Sequence, residues 1–155
     1  MKNLGVIIDA ELNFNAHINH VTDRLQLVQN AAARMITKTR KREHITPVLA
    51  SLHWLPVVFR IDFKILLLVF KALNGLAPSY LVECLPRYVP NRTLRSSSAG
   101  LLEVPTMAYK KYGEAAFCFY GPTAWNKLPV YIRQAASVDS FKAQLKTYFY
   151  TLAFS

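Results

Sequence analysis

Six apolar side chains, Ile18, Val21, Leu25, Val28, Ala32 and Met35, recur alternately three and four residues apart. Only a helix puts such positions on one face, because at 3.6 residues per turn both steps return to the same side. A strand would send them alternately up and down. The spacing therefore predicts one helix from about Asn15 to Lys38. At 100° per residue, Arg24, Arg34, Lys38, Lys41 and Arg42 fall opposite the stripe, if the helix runs on past Arg40. A basic face then backs an apolar one.

The remaining pattern is also mainly helical. Thr46 followed by Pro47 reads as an N-cap and first helical residue, opening a short helix to about Leu52 that Trp54-Leu55-Pro56 ends. Val57 to Asn74 is a strongly apolar helix closed by Gly75 and Pro78, with Arg60, Lys64 and Lys71 on one edge of its wheel. Ser79 to Leu85 forms one more short helix. Pro86 to Gly100 is rich in Arg, Ser, Pro and Asn without periodicity, which predicts an exposed basic loop. Beyond it, Tyr112 to Phe119 and Pro122 to Leu128 read as short helical pieces. Ser137 caps a last helix carrying Val138, Phe141, Leu145, Tyr148 and Leu152 on one side. Leu4 to Ile8 is the one clear strand signal, and Leu101 to Val104 is a candidate for a second. A single strand leaves its backbone groups unpaired. The first either pairs with something short later in the chain or is left over from a larger sheet.

Charge narrows the partners. Nineteen Lys and Arg stand against nine Asp and Glu in 155 residues, a formal charge of +10. Between Arg34 and Arg95 there are eleven basic residues and three acidic ones, Glu43, Asp62 and Glu83. Such a balance favours a polyanion, with nucleic acid ahead of an acidic membrane. Apolar residues make up 52% of the chain, enough for a packed core. Charges interrupt the most apolar helix, leaving Ile65 to Phe70 as its longest apolar run, so it predicts a buried helix and not a membrane span. The first residues are too short an apolar run for a secretory leader, and an intracellular protein of nucleus or cytoplasm is expected.

Catalytic patterns are missing from the sequence. Cys84 and Cys118 are 34 residues apart, match no zinc spacing, and read as reduced core thiols. His17 and His20 share a helical face but have no third ligand at a useful spacing, so no metal or cofactor is expected. No nucleophile elbow or phosphate loop occurs, and there is no small-molecule site to point to. Asp62, among apolar neighbours, reads as a partner for a buried basic residue or as a first-turn residue favoured by the helix dipole. Binding residues are easier to nominate. Lys38, Arg40, Lys41 and Arg42 put four positive charges within five residues, a phosphate-binding cluster or a nuclear import signal, or else a solvated helix end. Arg24, Arg34, Lys64 and Lys71 extend that candidate patch. In the loop, Arg87, Arg92 and Arg95 form a second, and Tyr88 between them offers a ring on which a base could stack. Trp54 and Trp125 read instead as core anchors at helix ends.

The run from Arg24 through Thr46-Pro47-Val48-Leu49-Ala50-Ser51-Leu52-His53-Trp54-Leu55-Pro56 to Phe70-Lys71-Ala72-Leu73-Asn74-Gly75-Leu76-Ala77-Pro78 resembles the region beyond the catalytic palm of LINE-type non-LTR retrotransposon reverse transcriptases. The resemblance extends back to Leu4-Gly5-Val6 and forward to Ala124-Trp125-Asn126-Lys127-Leu128-Pro129, with Ser137, Phe141, Lys142 and Leu145. It implies a helical, thumb-like bundle: residues 1–14 as the last palm strand and its turn, 15–85 as the thumb core, 86–100 as an exposed loop and 101–155 as a C-terminal helical extension. It also implies a grip on the backbone of template RNA and of DNA, and a polymerase palm as a partner in trans. Polymerase chemistry is not implied. No Tyr/Phe-x-Asp-Asp occurs and no two acidic residues are adjacent. The sequence also departs from the family near Val21 to Arg24, where similar proteins carry additional helical residues. Two alternatives stand beside this reading: a helical protein-interaction module, and a translated relic of a mobile element.

Overall fold

In the computed structural model, which describes residues 2–3, 6–7, 15–89, 100–105 and 117–155, the chain is mainly helical. Two short strands, β1 (Lys2–Asn3) and β2 (Val6–Ile7), precede seven helices among the described residues: α1 (Asn15–Thr37), α2 (Ile45–Ser51), α3 (Val57–Leu73), α4 (Ser79–Glu83), α5 (Phe117–Asn126), α6 (Val130–Arg133) and α7 (Val138–Phe154). The chain divides into two compact units, one of Met1–Ile61 with Lys146–Ser155 and the other of Asp62–Leu145.

The first unit contains the hairpin, α1, α2 and the ends of α3 and α7. Instead of one strand over Leu4 to Ile8, β1 and β2 pair antiparallel with Lys2 opposite Ile7 and Asn3 opposite Val6. The partner is therefore not later in the chain but just before it, where antiparallel pairing satisfies the backbone groups within a few residues. Thr46 is not the cap of α2. The helix begins at Ile45 with His44 as N-cap, and Pro47 sits inside the first turn, where a missing N–H costs nothing.

α1 ends at Thr37, so Lys41 and Arg42 lie in the following turn and not on its helical face. Its apolar stripe is largely exposed. Ile18, Val21, Leu25, Val28 and Met35 are 40–81% exposed, whereas Ala33 and Gln29 are buried. The side that packs is polar and small. Gln26 Oε1 accepts the Val57 N–H at 2.8 Å, and Gln29 Nε2 donates to the Leu55 carbonyl at 2.9 Å. Gln26 Nε2 in turn donates to Gln29 Oε1 and Asn30 Oδ1 at 3.1 and 2.8 Å. Val57 opens α3, and its N–H is one of the donors a helix start leaves without an internal partner. Side-chain amides that satisfy that end, and not the apolar stripe, form the packing face of α1. On the other flank of the unit, Tyr150 of α7 donates to the Ala50 carbonyl at 2.9 Å and stacks on His53 with centroids 5.6 Å apart.

The second unit is built on aromatic packing. Phe70 of α3 stacks on Phe141 of α7 at 4.3 Å between centroids, and Trp125 of α5 lies 5.9 Å from Phe141 and 6.4 Å from Phe70. Leu66, Val69, Ile132 and Leu145 are buried with them. Phe117 to Phe119 of the first expected piece and Pro122 to Asn126 of the second lie in the single helix α5, and residues 112–116 lie outside the described residues. Gly121 lets α5 approach α3: a Cβ there would stand 3.2 Å from Val69 Cγ2. Ser137 caps α7 as expected, its Oγ accepting the Ser140 N–H at 3.1 Å, but Leu152 at the far end of the stripe is 53% exposed. Leu101 to Val104 gives one antiparallel rung, Arg87 opposite Leu102, closed by Tyr88 N–H to Leu101 O at 3.1 Å and Glu103 N–H to Pro86 O at 2.9 Å. Leu102 itself faces away from that pairing, as alternate residues of an antiparallel pair do. The Asn126 side chain completes it, accepting from Leu102 N–H at 2.9 Å and donating to Leu102 O at 2.8 Å. Among the described residues the partner of Asp62 is a hydroxyl and not a cation: Tyr120 donates to it at 2.6 Å.

Candidate nucleic-acid interface

Three helices of this chain end in the same way, and the first of those ends carries the basic cluster. After α1 the chain turns through Lys38 at φ +55°, and Thr39 N–H reaches back to Arg34 O at 3.1 Å. The same closure follows α2 at His53 (φ +55°), with Trp54 N–H on Leu49 O, and α3 at Gly75 (φ +70°), with Leu76 N–H on Lys71 O. This is the Schellman arrangement, whose left-handed residue is usually glycine. Gly75 announces itself in the sequence; Lys38 and His53 do not, because their side chains make that backbone costly.

The turn beyond Lys38 is tied down from below. The Arg34 guanidinium donates through Nη1 to the Arg40 carbonyl and through Nη2 to the Glu43 carbonyl at 2.7 Å. Glu43 N–H closes on Arg40 O at 3.1 Å, and the Thr37 and Thr39 hydroxyls pair at 2.6 Å. Arg34 is thus engaged by the backbone of the turn. Lys38, Arg40, Lys41 and Arg42 are all exposed, and among the described residues none of them makes an ion pair. Four cations on a turn held at both ends form a compact positive corner, with Glu43 as the adjacent counter-charge. Its chemistry suits phosphate oxygens, which need charge and donors without a fixed base edge.

The other nominated residues among those described lie on other elements. Arg24 is exposed on α1, about 21 Å before Lys38 at 1.5 Å per residue. Lys64 (exposed) and Lys71 (half-buried) lie on α3 within the second unit. Arg87, which forms the rung with Leu102, and Tyr88 beside it are both exposed. Arg92 and Arg95 lie outside the described residues, as does the side chain of His17. Sequence reading missed Arg133, which with Arg87, Asn74 and Trp125 lines a small cavity of about 130 Å³. Burial lowers the pKa of that guanidinium. No spacing signal links residues 87 and 133, which only the fold brings together. Among the described residues no three His, Cys, Asp or Glu side chains gather to hold a metal, and Cys84 and Cys118 are free and half-buried. No described helix is long and apolar enough to cross a membrane.

The chain matches no protein-family model, no curated protein and no solved structure.

Proposed function

We propose that this chain is a non-catalytic, thumb-like module of LINE-type reverse-transcriptase ancestry that holds the phosphate backbone of RNA or DNA without reading sequence. It acts inside the cell, in nucleus or cytoplasm, alone or beside a polymerase palm supplied in trans. The observation that supports it best is the exposed corner Lys38, Arg40, Lys41 and Arg42, fixed from beneath by Arg34. Four phosphate contacts of this kind release counterions, so binding to a labelled RNA–DNA primer-template should weaken about a hundredfold between about 50 and about 200 mM salt. Replacing all four with Gln should abolish most of the binding and flatten that dependence. Salt-insensitive binding, or binding unchanged by the replacement, sinks the assignment.

A second reading has its own support. The exposed stripe of α1, with Ile36 beside it at 60% exposure, supports reading that helix as a protein interface. Both readings fit a binding module, and they use different faces of one helix and its turn.

A further inference from the structure

α1 packs on its own unit through Gln26, Gln29 and Ala33, and the apolar residues beside that face are left outside it. What could cover them is constrained by their spacing. Ile18, Leu25 and Ala32 alternate with Val21, Val28 and Met35 at a strict repeat of seven, averaging 3.5 residues per turn. A flat protein surface asks for no such repeat; a second helix does, because 3.5 keeps a narrow seam facing a helical neighbour along its length.

We infer that the neighbour is a second copy of this chain, with the two α1 helices paired antiparallel along this seam. The inference rests on the reading of α1 as a protein interface and not on the phosphate reading. Area is the first argument. Ile18, Val21, Leu25, Val28, Met35 and Ile36 are 40–81% exposed. Together they hold on the order of 600 Å² per chain, at the upper end of monomer patches and near the roughly 800 Å² a side of a standard interface. Charge is the second. The flanking positions Thr22, Arg24, Gln29, Ala31, Ile36 and Lys38 include two charged residues, both positive and 14 residues apart, so the seam offers little to select an acidic partner and repels its own copy only where like ends meet.

Charge also decides the direction. Parallel pairing would set the two clusters of Lys38, Arg40, Lys41 and Arg42 at the same end. Antiparallel pairing centred between Leu25 and Val28 separates them by about 35 Å, several Debye lengths at physiological salt. In that register Ile18 faces Met35 of the second copy, Val21 faces Ala32 and Leu25 faces Val28. Arg24 then lies near Ala31 and not near another Arg24.

The test is the mass of the full chain by sedimentation across the micromolar range, beside Val28→Glu and Leu25→Glu. Both side chains are at least half exposed, so the variants should keep the helical circular dichroism of the parent. The expected result is a mass rising towards twice 17.6 kDa for the parent and staying at 17.6 kDa for the variants. With Cys84 and Cys118 changed to Ser, Ile18→Cys chains mixed with Met35→Cys chains should form a mixed disulfide under mild oxidation. Met35→Cys chains alone should not. A parent that stays monomeric, a dimer that survives Val28→Glu, or efficient Met35–Met35 position cross-linking overturns the antiparallel pair. Binding of an apolar dye separates the two levels. A monomer that binds dye in a Val28→Glu-sensitive way loses the second copy and keeps the interface reading; a monomer that binds none loses both.

Discussion

The docking face of α1 and the aromatic centre of the second unit hold structure by different means. Around Phe141 the fixing is non-directional: Phe141, Ile132 and Leu145 are fully buried, and ring stacking on Phe70 and Trp125 adds shape. On α1 the fixing is directional, through amides of Gln26 and Gln29 on the backbone at Leu55 and Val57, with Ala33 as a fully buried apolar anchor. The difference shows how one helix can be positioned while its apolar surface stays outside. Hydrogen bonds place it, and burial is not required along the stripe.

That contrast can be broken at its strong end first. Phe141→Ala removes a fully buried ring from a stacked trio and should cost about 3–5 kcal/mol, measured by urea unfolding. A cost near 1 kcal/mol would mean that the aromatic centre is not what holds the second unit. Next comes the polar face. Gln29→Ala leaves the Leu55 carbonyl without its donor and should cost about 1–3 kcal/mol. Its neighbour Val28, 67% exposed, should tolerate Ala within about 0.5 kcal/mol at concentrations where the chain is monomeric. If Val28→Ala proves the more damaging of the two, the roles assigned to the two faces of α1 are reversed.

The smallest effect sharpens the comparison within the second unit. Tyr120→Phe removes the 2.6 Å bond to Asp62 and should cost about 1 kcal/mol, less than any ring of the trio. It carries a pH signature as well. Burial, then the Asp62 hydrogen bond and charge, push the Tyr120 phenol from 10.0 up to about 12. Since the folded state holds the proton more tightly, the stabilisation is complete below pH 10.0 and is lost as pH rises towards about 12. The parent should therefore lose stability more steeply than Tyr120→Phe across that alkaline window. Parallel curves would show that the hydroxyl is not held as the geometry implies.

Much of the helical framework was legible because periodicity and caps are local. Val57 to Leu73, the Gly75 closure and the Ser137 cap follow from neighbours in sequence alone. The basic cluster was legible as charge, but the turn that presents it was not. Lys38 in a left-handed conformation is a poor local choice, and bonds from Arg34 to carbonyls six and nine residues on accompany it. Asp62 was legible as a polar group needing a partner, though its partner stands 58 residues away.

By itself, the sequence determined that the chain is mainly helical, that α1 has an apolar seam with a repeat of seven, and that a dense positive cluster follows it. Those properties depend on spacing along one chain. Which face of α1 packs, and that Arg34 is drawn beneath the turn while Arg40, Lys41 and Arg42 stay outside, was decided only in three dimensions. The reason is that an apolar stripe states a preference for burial, whereas the unsatisfied backbone at Leu55 and Val57 demands a donor and an acceptor at defined points. Where the two compete for one helix, the directional requirement fixes the orientation, and the stripe is left to find its cover elsewhere.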